Sequence, residues 1–476
     1  MRNQKASYLN FLLLFYLLGS FSAQAQEEDA IVISYEDYIA QILAQHPLVR
    51  QIKLAEQRAD LNLMFAKGEQ LDPKLEGKWS YKQFGGKNYF NIYDGYLKIP
   101  TLLGIDVKAG YNGAQGYYLN PENTLPAAGQ AYLGVSIPLL QGLWNNERQT
   151  ALRSAKLMQS AADAEIKSAL NNLLYEAAKA YWEWALAYKQ TTVLRQSLDL
   201  STAQLAMIRS SYLQGDLPAI DTLKAFIRIQ DFNIQLNEAE LDMRKARWLV
   251  ENHLWLNDTM PASLTENTFP IDLDAVIISP VDSTELENWL AQIDQHPDLQ
   301  LYQFQLKGLE IEQRFKATKL LPKAELSYNF LSANHVNFFE GTGGIGAVTE
   351  HYKLELKLSY PILIRKERAD LQLNKLKQRE TTLKMDFKKQ ELSNKVKSYF
   401  NEVETYAGQI DLVNAMVNNY NVLVAAEEEK YRMGESDIFI VNMRQSQFVE
   451  AQIKRYKTLT KYLKAQTAWV WVRAGF

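Results

Sequence analysis

LWNNERQTALRSAKLMQSAADAEIKSALNNLLYEAAKAYWEWALAYKQTTVLRQSLDLSTAQLAMIRSSYLQ, residues 143–214, contains neither glycine nor proline. As one helix it rises to about 100 Å at about 1.5 Å per residue. A single globule of this chain length has a radius of gyration of about 22 Å, so the rod cannot lie inside one and the molecule must be elongated. A rod also needs partners along its length, because isolated helical turns are marginal in water. Leu170, Leu174, Ala177, Tyr181, Trp184 and Tyr188 supply one apolar seam, continued by Leu198, Leu205 and Tyr212.

A second rod repeats the pattern more cleanly. Leu392, Val396, Tyr399, Val403, Tyr406, Ile410, Val413, Val417, Tyr420 and Val424 alternate spacings of four and three. That is the a/d signature of helices packed side by side in a coiled coil. The rods end at Tyr212-Leu-Gln-Gly215 and Tyr431-Arg-Met-Gly434, where glycine permits a tight reversal into a return helix.

Upstream, the duplication extends further. Ser34-x-x-Asp37 opens a helix from Tyr35 to about residue 70, with His46-Pro47 in its first turns or at a break, and Asp282-x-x-Glu285 opens its counterpart. "YIAQILAQHPLVR" resembles "WLAQIDQHPDLQ", and each leads to a proline, Pro73 and Pro322. After each proline the period changes from 3.6 to 2. Leu75, Gly77, Trp79 and Tyr81 alternate with charged or small neighbours, as do Ala324, Leu326, Tyr328 and Phe330. Returning strands end at Pro138 and Pro361. Residues 85–130 are an insertion in the first unit; Ile105, Val107, Ala109 and Tyr111 predict a further hairpin there, on the outer face.

The domain plan is therefore a leader at 1–25 and a first repeat at 26–256, with a hairpin region 74–138, a long helix 143–214 and a return helix 219–256. A linker follows at 257–283, where "IDLDAVIIS" reads as a short strand. The second repeat is 284–476, with a hairpin region 323–361, a long helix 362–433 and a return helix 438–473.

Arg2 and Lys5, the apolar run Phe11 to Leu18 and Ala23-Gln24-Ala25 form a secretory leader with an A-x-A cleavage site. No later stretch is apolar enough for a membrane helix, so insertion in a bilayer falls to β-strands. Alternation alone also suits a soluble sandwich; the leader tips the reading towards a membrane barrel with a polar lumen. The 476 residues include no cysteine, which excludes a lipid-anchoring thiol, thiolate metal sites and cysteine nucleophiles, and the net charge of −3 predicts no nucleic-acid partner.

Little in the chain suggests catalysis. Gly341, Gly343, Gly344 and Gly346 lack the Lys-Ser/Thr of a P-loop and lie between strands. The five histidines, His46, His253, His296, His335 and His351, show no metal-ligand spacing. No catalytic, cofactor or metal site is assigned.

With its leader, duplicated helix–strand–strand–helix units and paired reversals, the chain resembles the TolC family of outer-membrane efflux proteins. "SIPLLQGLWNNERQTALRSAK" and "LSYPILIRKERADL" are similar to that family's strand–proline–helix junctions, and "YLQGDLPAIDTLKA" and "YRMGESDIFIVNM" to its helix tips. The resemblance implies a homotrimer in the outer membrane in which each subunit gives four strands to a twelve-stranded barrel, continued by a long periplasmic helical barrel. It implies an efflux or type I secretion duct working with a periplasmic adaptor and an inner-membrane pump. If these strands span the membrane, pooling them is also physically required, since four strands cannot close a barrel alone.

The resemblance further implies a periplasmic aperture near the tips. Tyr431 and Asp221 match a tyrosine and an aspartate of the family's constriction, with Tyr212 beside them. Ser436 stands where an arginine would be, and Ile440 and Met443 replace two aspartates of a cation-binding ring, which is not carried over. Arg432 and Arg444 remain as polar candidates for closure. Gly215, Leu217, Gly434 and Ser436 fall where the family meets its adaptor. A rival from the residues alone is an exported coiled-coil structural or adhesion protein without a pore.

Overall fold

The computed structural model describes residues 31–256, 260–279, 282–332 and 351–476. The leader, His335 and the glycine-rich 341–346 motif lie outside them. In chain order the main elements are β1 (Ile31–Ile33), α1 (Tyr35–Gln45), α2 (Pro47–Leu71), β2 (Lys74–Phe84), β3 (Lys87–Pro100), β4 (Asp106–Gln115), β5 (Gln130–Pro138), α3 (Glu147–Gln214) and α4 (Ala219–Glu251). Then come β6 (Thr268–Pro270), α5 (Ser283–Ala291), α6 (Pro297–Thr318), β7 (Lys323–Leu331), β8 (Tyr352–Ser359), α7 (Arg365–Arg432) and α8 (Ile438–Val472).

Both rods are unbroken helices of 68 residues, about 100 Å each. The first starts later than the composition suggests, because Asn146 caps it: the Asn146 side chain accepts from Gln149 N at 2.8 Å. Leu392, Val396, Val403, Ile410 and Val413 are buried along the seam that α7 presents to α8, and Leu174, Ala177, Tyr181 and Trp184 are buried on α3. The helix after Ser34 is interrupted at His46, whose extended backbone (φ −72°, ψ 129°) ends α1 and caps α2. His296 does the same for α6. In each, imidazole Nδ1 accepts a backbone N–H two residues on, at 3.1 Å. Burial lowers the pKa of both rings, which suits neutral acceptors.

The largest core lies midway along the rods. Tyr38, Tyr181, Trp184 and Tyr462 are almost wholly enclosed there, and Trp182 donates Nε1 to Thr467 Oγ1 at 3.0 Å. The segment 271–279 is not the strand that its sequence predicts. The strand falls just before it: β6 pairs in parallel with β1. Residues 271–279 instead form an irregular strap, several of whose polar groups bond side chains of α3 and α8. Tyr181 accepts Ile271 N at 3.1 Å, and the Tyr462 hydroxyl accepts Ser279 N at 3.1 Å while donating to Ser279 O at 2.7 Å. Asp274 receives Lys189 of α3 and both Arg455 and Tyr456 of α8. Burial alone would raise its pKa, but these donors hold it down at about 2.

One sheet has six strands in the order β8-β7-β5-β4-β3-β2, every neighbour antiparallel. The resemblance implies four strands per subunit; the 85–130 insertion adds β3 and β4. Nor does that hairpin sit on the outer face. Its 101–105 turn lies at the helix end of the sheet, against the start of α3: Asn146 Nδ2 donates to Leu102 O at 2.8 Å and Arg148 pairs with Asp106 at 2.6 Å. The reason is in the residues, since β4 alternates as the other strands do, β3 does so from Asp94 to Ile99, and both are as long. Cross-strand registers place Lys74, Lys98, Lys108, Gly134, Asn329 and Lys353 in one row on one face. On the other face Leu75, Leu97, Ala109, Leu133 and Phe330 form the adjoining row, ending at Lys353's neighbour Tyr352. Over most of the six strands one face is chiefly polar and the other chiefly apolar.

Candidate functional site

The ends of the rods farthest from the sheet concentrate the residues singled out by sequence. At the first tip Gly215 takes a left-handed conformation (φ 85°), its N–H reaching Tyr212 O at 3.0 Å, and Asp216 N–H reaches Ser211 O. At the second, Gly434 (φ 77°) returns to Tyr431 O at 3.0 Å and Glu435 N–H to Lys430 O. Glycine is needed at both, because a Cβ would strain this conformation. Asp437 then caps α8, accepting from Phe439 N at 2.6 Å.

Ile208, Ala225, Ile438 and Val441 form a small buried cluster between the tips, with Leu205, Leu217 and Tyr431 packed on it. Beside it Asp221 is 7% exposed and pairs with Lys224 at 3.0 Å; Lys224 also reaches Asp437 at 3.6 Å. Lys224 thereby bridges the first tip to the second. Burial, then the charges of Asp221 and Asp437, raise the Tyr431 pKa, so its hydroxyl stays protonated and available as a donor. Asp221 and Tyr431, assigned from separate repeats, are thus brought together.

The other candidates are less concentrated. Tyr212 is exposed, and Arg432 is exposed and pairs with Glu429 on its own helix at 2.9 Å. Ser436 donates to Glu427, Ile440 is half-buried and Met443 is exposed. Arg444 donates to Gln447 on its own helix at 3.1 Å, so neither arginine reaches across to the other repeat. Gly215 and Gly434 are exposed at the extreme tips; Leu217 packs inward.

The residue that sequence reasoning passed over is Arg228. It donates to Ser201 Oγ at 3.3 Å and to the backbone carbonyl of Asn442, and its guanidinium lies 5.0 Å from the Phe232 ring. Burial pushes its pKa down to about 10, against the opposing charge of Asp231. It lines a cleft of about 350 Å³ with Glu428 and Gln445, and ties α4 to α8 one layer above the apolar cluster. A signal for it existed: Ala225, Arg228, Phe232 and Leu236 follow helical spacing, and the other three are buried.

The architecture thus has a two-faced sheet suited to lipid on one side and water on the other, and rods that extend it by about 100 Å. This is the organisation of an outer-membrane channel. Residues 102–249 and 291–469 match the family model for outer membrane efflux protein, and the chain belongs to that family. No curated protein matches it in sequence. Among solved structures it is similar to the Campylobacter jejuni CmeC outer membrane channel, at TM-score 0.65 and 14% identity, covering 93% of this chain and 86% of that one. It is also similar to the outer membrane protein VceC of Vibrio cholerae, at TM-score 0.66 and 12% identity over 93% and 96% of the two chains. The open state of the Neisseria gonorrhoeae MtrE outer membrane channel gives TM-score 0.66 and 14% identity over 93% and 89%. The fold is therefore the TolC-like one. Family membership makes the protein a non-enzymatic channel of the outer membrane with a periplasmic extension, and argues against the scaffold reading. Among the described residues no helix is long and apolar enough to cross a membrane.

Proposed function

We propose that the protein is the exit duct of a tripartite efflux or type I secretion system. Three copies pool their sheets in the outer membrane and their helices in the periplasm, and substrates arrive through an adaptor and an inner-membrane pump that dock at Gly215, Leu217, Gly434 and Ser436. The observation that carries this reading is the continuity of the two-faced sheet with the rods: β5 and β8 lead through short turns into α3 and α7. A polar sheet face then opens directly onto a helical tube, with no intervening domain among the described residues.

The gate is assigned to the tips, where Asp221, Lys224, Tyr431 and Asp437 gather. Opening separates the two helix pairs and breaks the Lys224–Asp437 bridge, while selectivity is imposed upstream by the pump. Single-channel recording in planar bilayers tests this. The Asp221→Ala/Tyr431→Ala variant is expected to conduct about twofold or more above the parent, since the constriction loses its polar closure. An unchanged conductance in that variant removes the gate from these residues.

A further inference from the structure

Among the described residues the six-stranded sheet has two unpaired edges, β2 and β8. Both are exposed along their length, with Leu75, Trp79, Leu354, Leu356 and Leu358 each more than half accessible. Unpaired backbone in the hydrocarbon layer is not tolerated, so each edge needs a strand. Because β2 leaves α2 at the helix end and β8 returns to α7 at that same end, β8 of one copy lies antiparallel to β2 of the next.

Charge chooses the register. With Ser359 opposite Lys74 of the next copy, both strands start flush at the helix end. Lys357 then faces Glu76, Glu355 faces Lys78 and Lys353 faces Ser80. On the apolar face, Leu358 meets Leu75, Leu356 meets Gly77, Leu354 meets Trp79 and Tyr352 meets Tyr81. A slip of two residues one way sets Lys353 against Lys82 and Lys357 against Lys78. The opposite slip sets Lys353, Glu355 and Lys357 against Lys78, Glu76 and Lys74, three like pairs. Opposite charges directly across a ladder stabilise by about 0.2–1 kcal/mol and like charges cost a similar amount. A slip of one residue turns the leucines of β8 into the polar face.

We infer that the barrel closes by pairing β8 of one copy with β2 of the next, Ser359 opposite Lys74, so that three copies form an eighteen-stranded wall rather than a twelve-stranded one. The inference rests on the trimeric duct proposed above, and deepens it. The added hairpin is continuous wall: Tyr132 of β5 donates to Asp94 of β3 at 2.9 Å and Tyr96 of β3 to Glu76 of β2, all on the polar face. At equal strand tilt, eighteen strands give a backbone diameter of about 36 Å against about 24 Å for twelve. The membrane section is then the wide part of the duct, and its lumen is lined by the lysine and carboxylate rows.

The cysteine-free chain allows a direct test. Under mild oxidation Glu76→Cys/Lys357→Cys is expected to give covalent trimers on a denaturing gel, and the slipped pair Lys78→Cys/Lys357→Cys to give none. Glu76→Lys should lose heat-resistant trimers, and Lys357→Glu added to it should restore them. Electron cryomicroscopy of the parent protein in nanodiscs should count eighteen strands. Cross-linking only in the slipped pair overturns the register, and a pore of twelve strands with β3 and β4 outside the wall overturns the count; both leave the duct intact. A protein that makes no pore in bilayers defeats the duct itself.

Discussion

Two of the places where the repeats meet, the mid-rod core near Tyr181 and the tip cluster near Tyr431, use the same kinds of helix and bind them very differently. At mid-rod, tyrosines and tryptophans are almost wholly enclosed, and strap residues bond the hydroxyls of Tyr181 and Tyr462. At the tip only Ile208, Ala225, Ile438 and Val441 are buried as a cluster, and the closest polar links are Lys224–Asp437 and Arg228–Asn442. Burial of large side chains is the main source of helix-pair stability, so the contrast is between an anchor and a latch. A duct of this kind needs both, one to hold shape and one to yield.

The comparison fails most visibly if the anchor proves weak. Trp184→Ala, which empties a fully buried site, is expected to cost about 3–5 kcal/mol, seen as a large drop in thermal midpoint and loss of folded protein. Arg228→Met should act locally, at about 1–3 kcal/mol, by leaving the Asn442 carbonyl and Ser201 without their donor. Hydrogen exchange should quicken in residues 219–232 and 438–449 while the mid-rod stays protected. If Arg228→Met lowers global stability as much as Trp184→Ala, anchor and latch are not separable. The smallest effect concerns the helix breaks. The folded-state pKa values of His46 and His296 lie below the ordinary value of about 6.5, so the unfolded chain binds more protons in the interval between. Stability is full above about pH 6.5 and falls as pH drops through that interval, each lost cap costing about 1 kcal/mol. His46→Asn/His296→Asn keeps a cap without a titrating ring and should flatten the acid limb of the melting profile.

Much of this was legible in the sequence because periodicity reports directly on which face is buried. The seam of α7 runs as its spacing predicts, and Tyr212-Leu-Gln-Gly215 and Tyr431-Arg-Met-Gly434 mark both tips. Three things were not. The extent of the insertion was missed at β3, where Phe90 and Ile92 fall on the polar face and Asn91 on the apolar one, so the first half of the strand shows no clear alternation. The 271–279 strap looks like a strand because Ile271, Leu273, Val276 and Ile278 are apolar, yet its backbone partners are tyrosine hydroxyls from distant helices, which no local pattern encodes. Arg228 was overlooked because a charged residue on a helix is usually solvated, and only the chain brings Asn442 beside it.

The strap has a mechanical consequence. Asp274 is gripped by Lys189 of α3 and by Arg455 with Tyr456 of α8, so the first rod and the second return helix are pinned to one another at that level and only lightly linked below it. From Lys189 to Gln214 the helix is about 38 Å long. That makes Asp274 a fulcrum: a swing of a few degrees about it displaces the tip by about 3 Å, roughly the length of the Lys224 bridge, while the barrel above does not move.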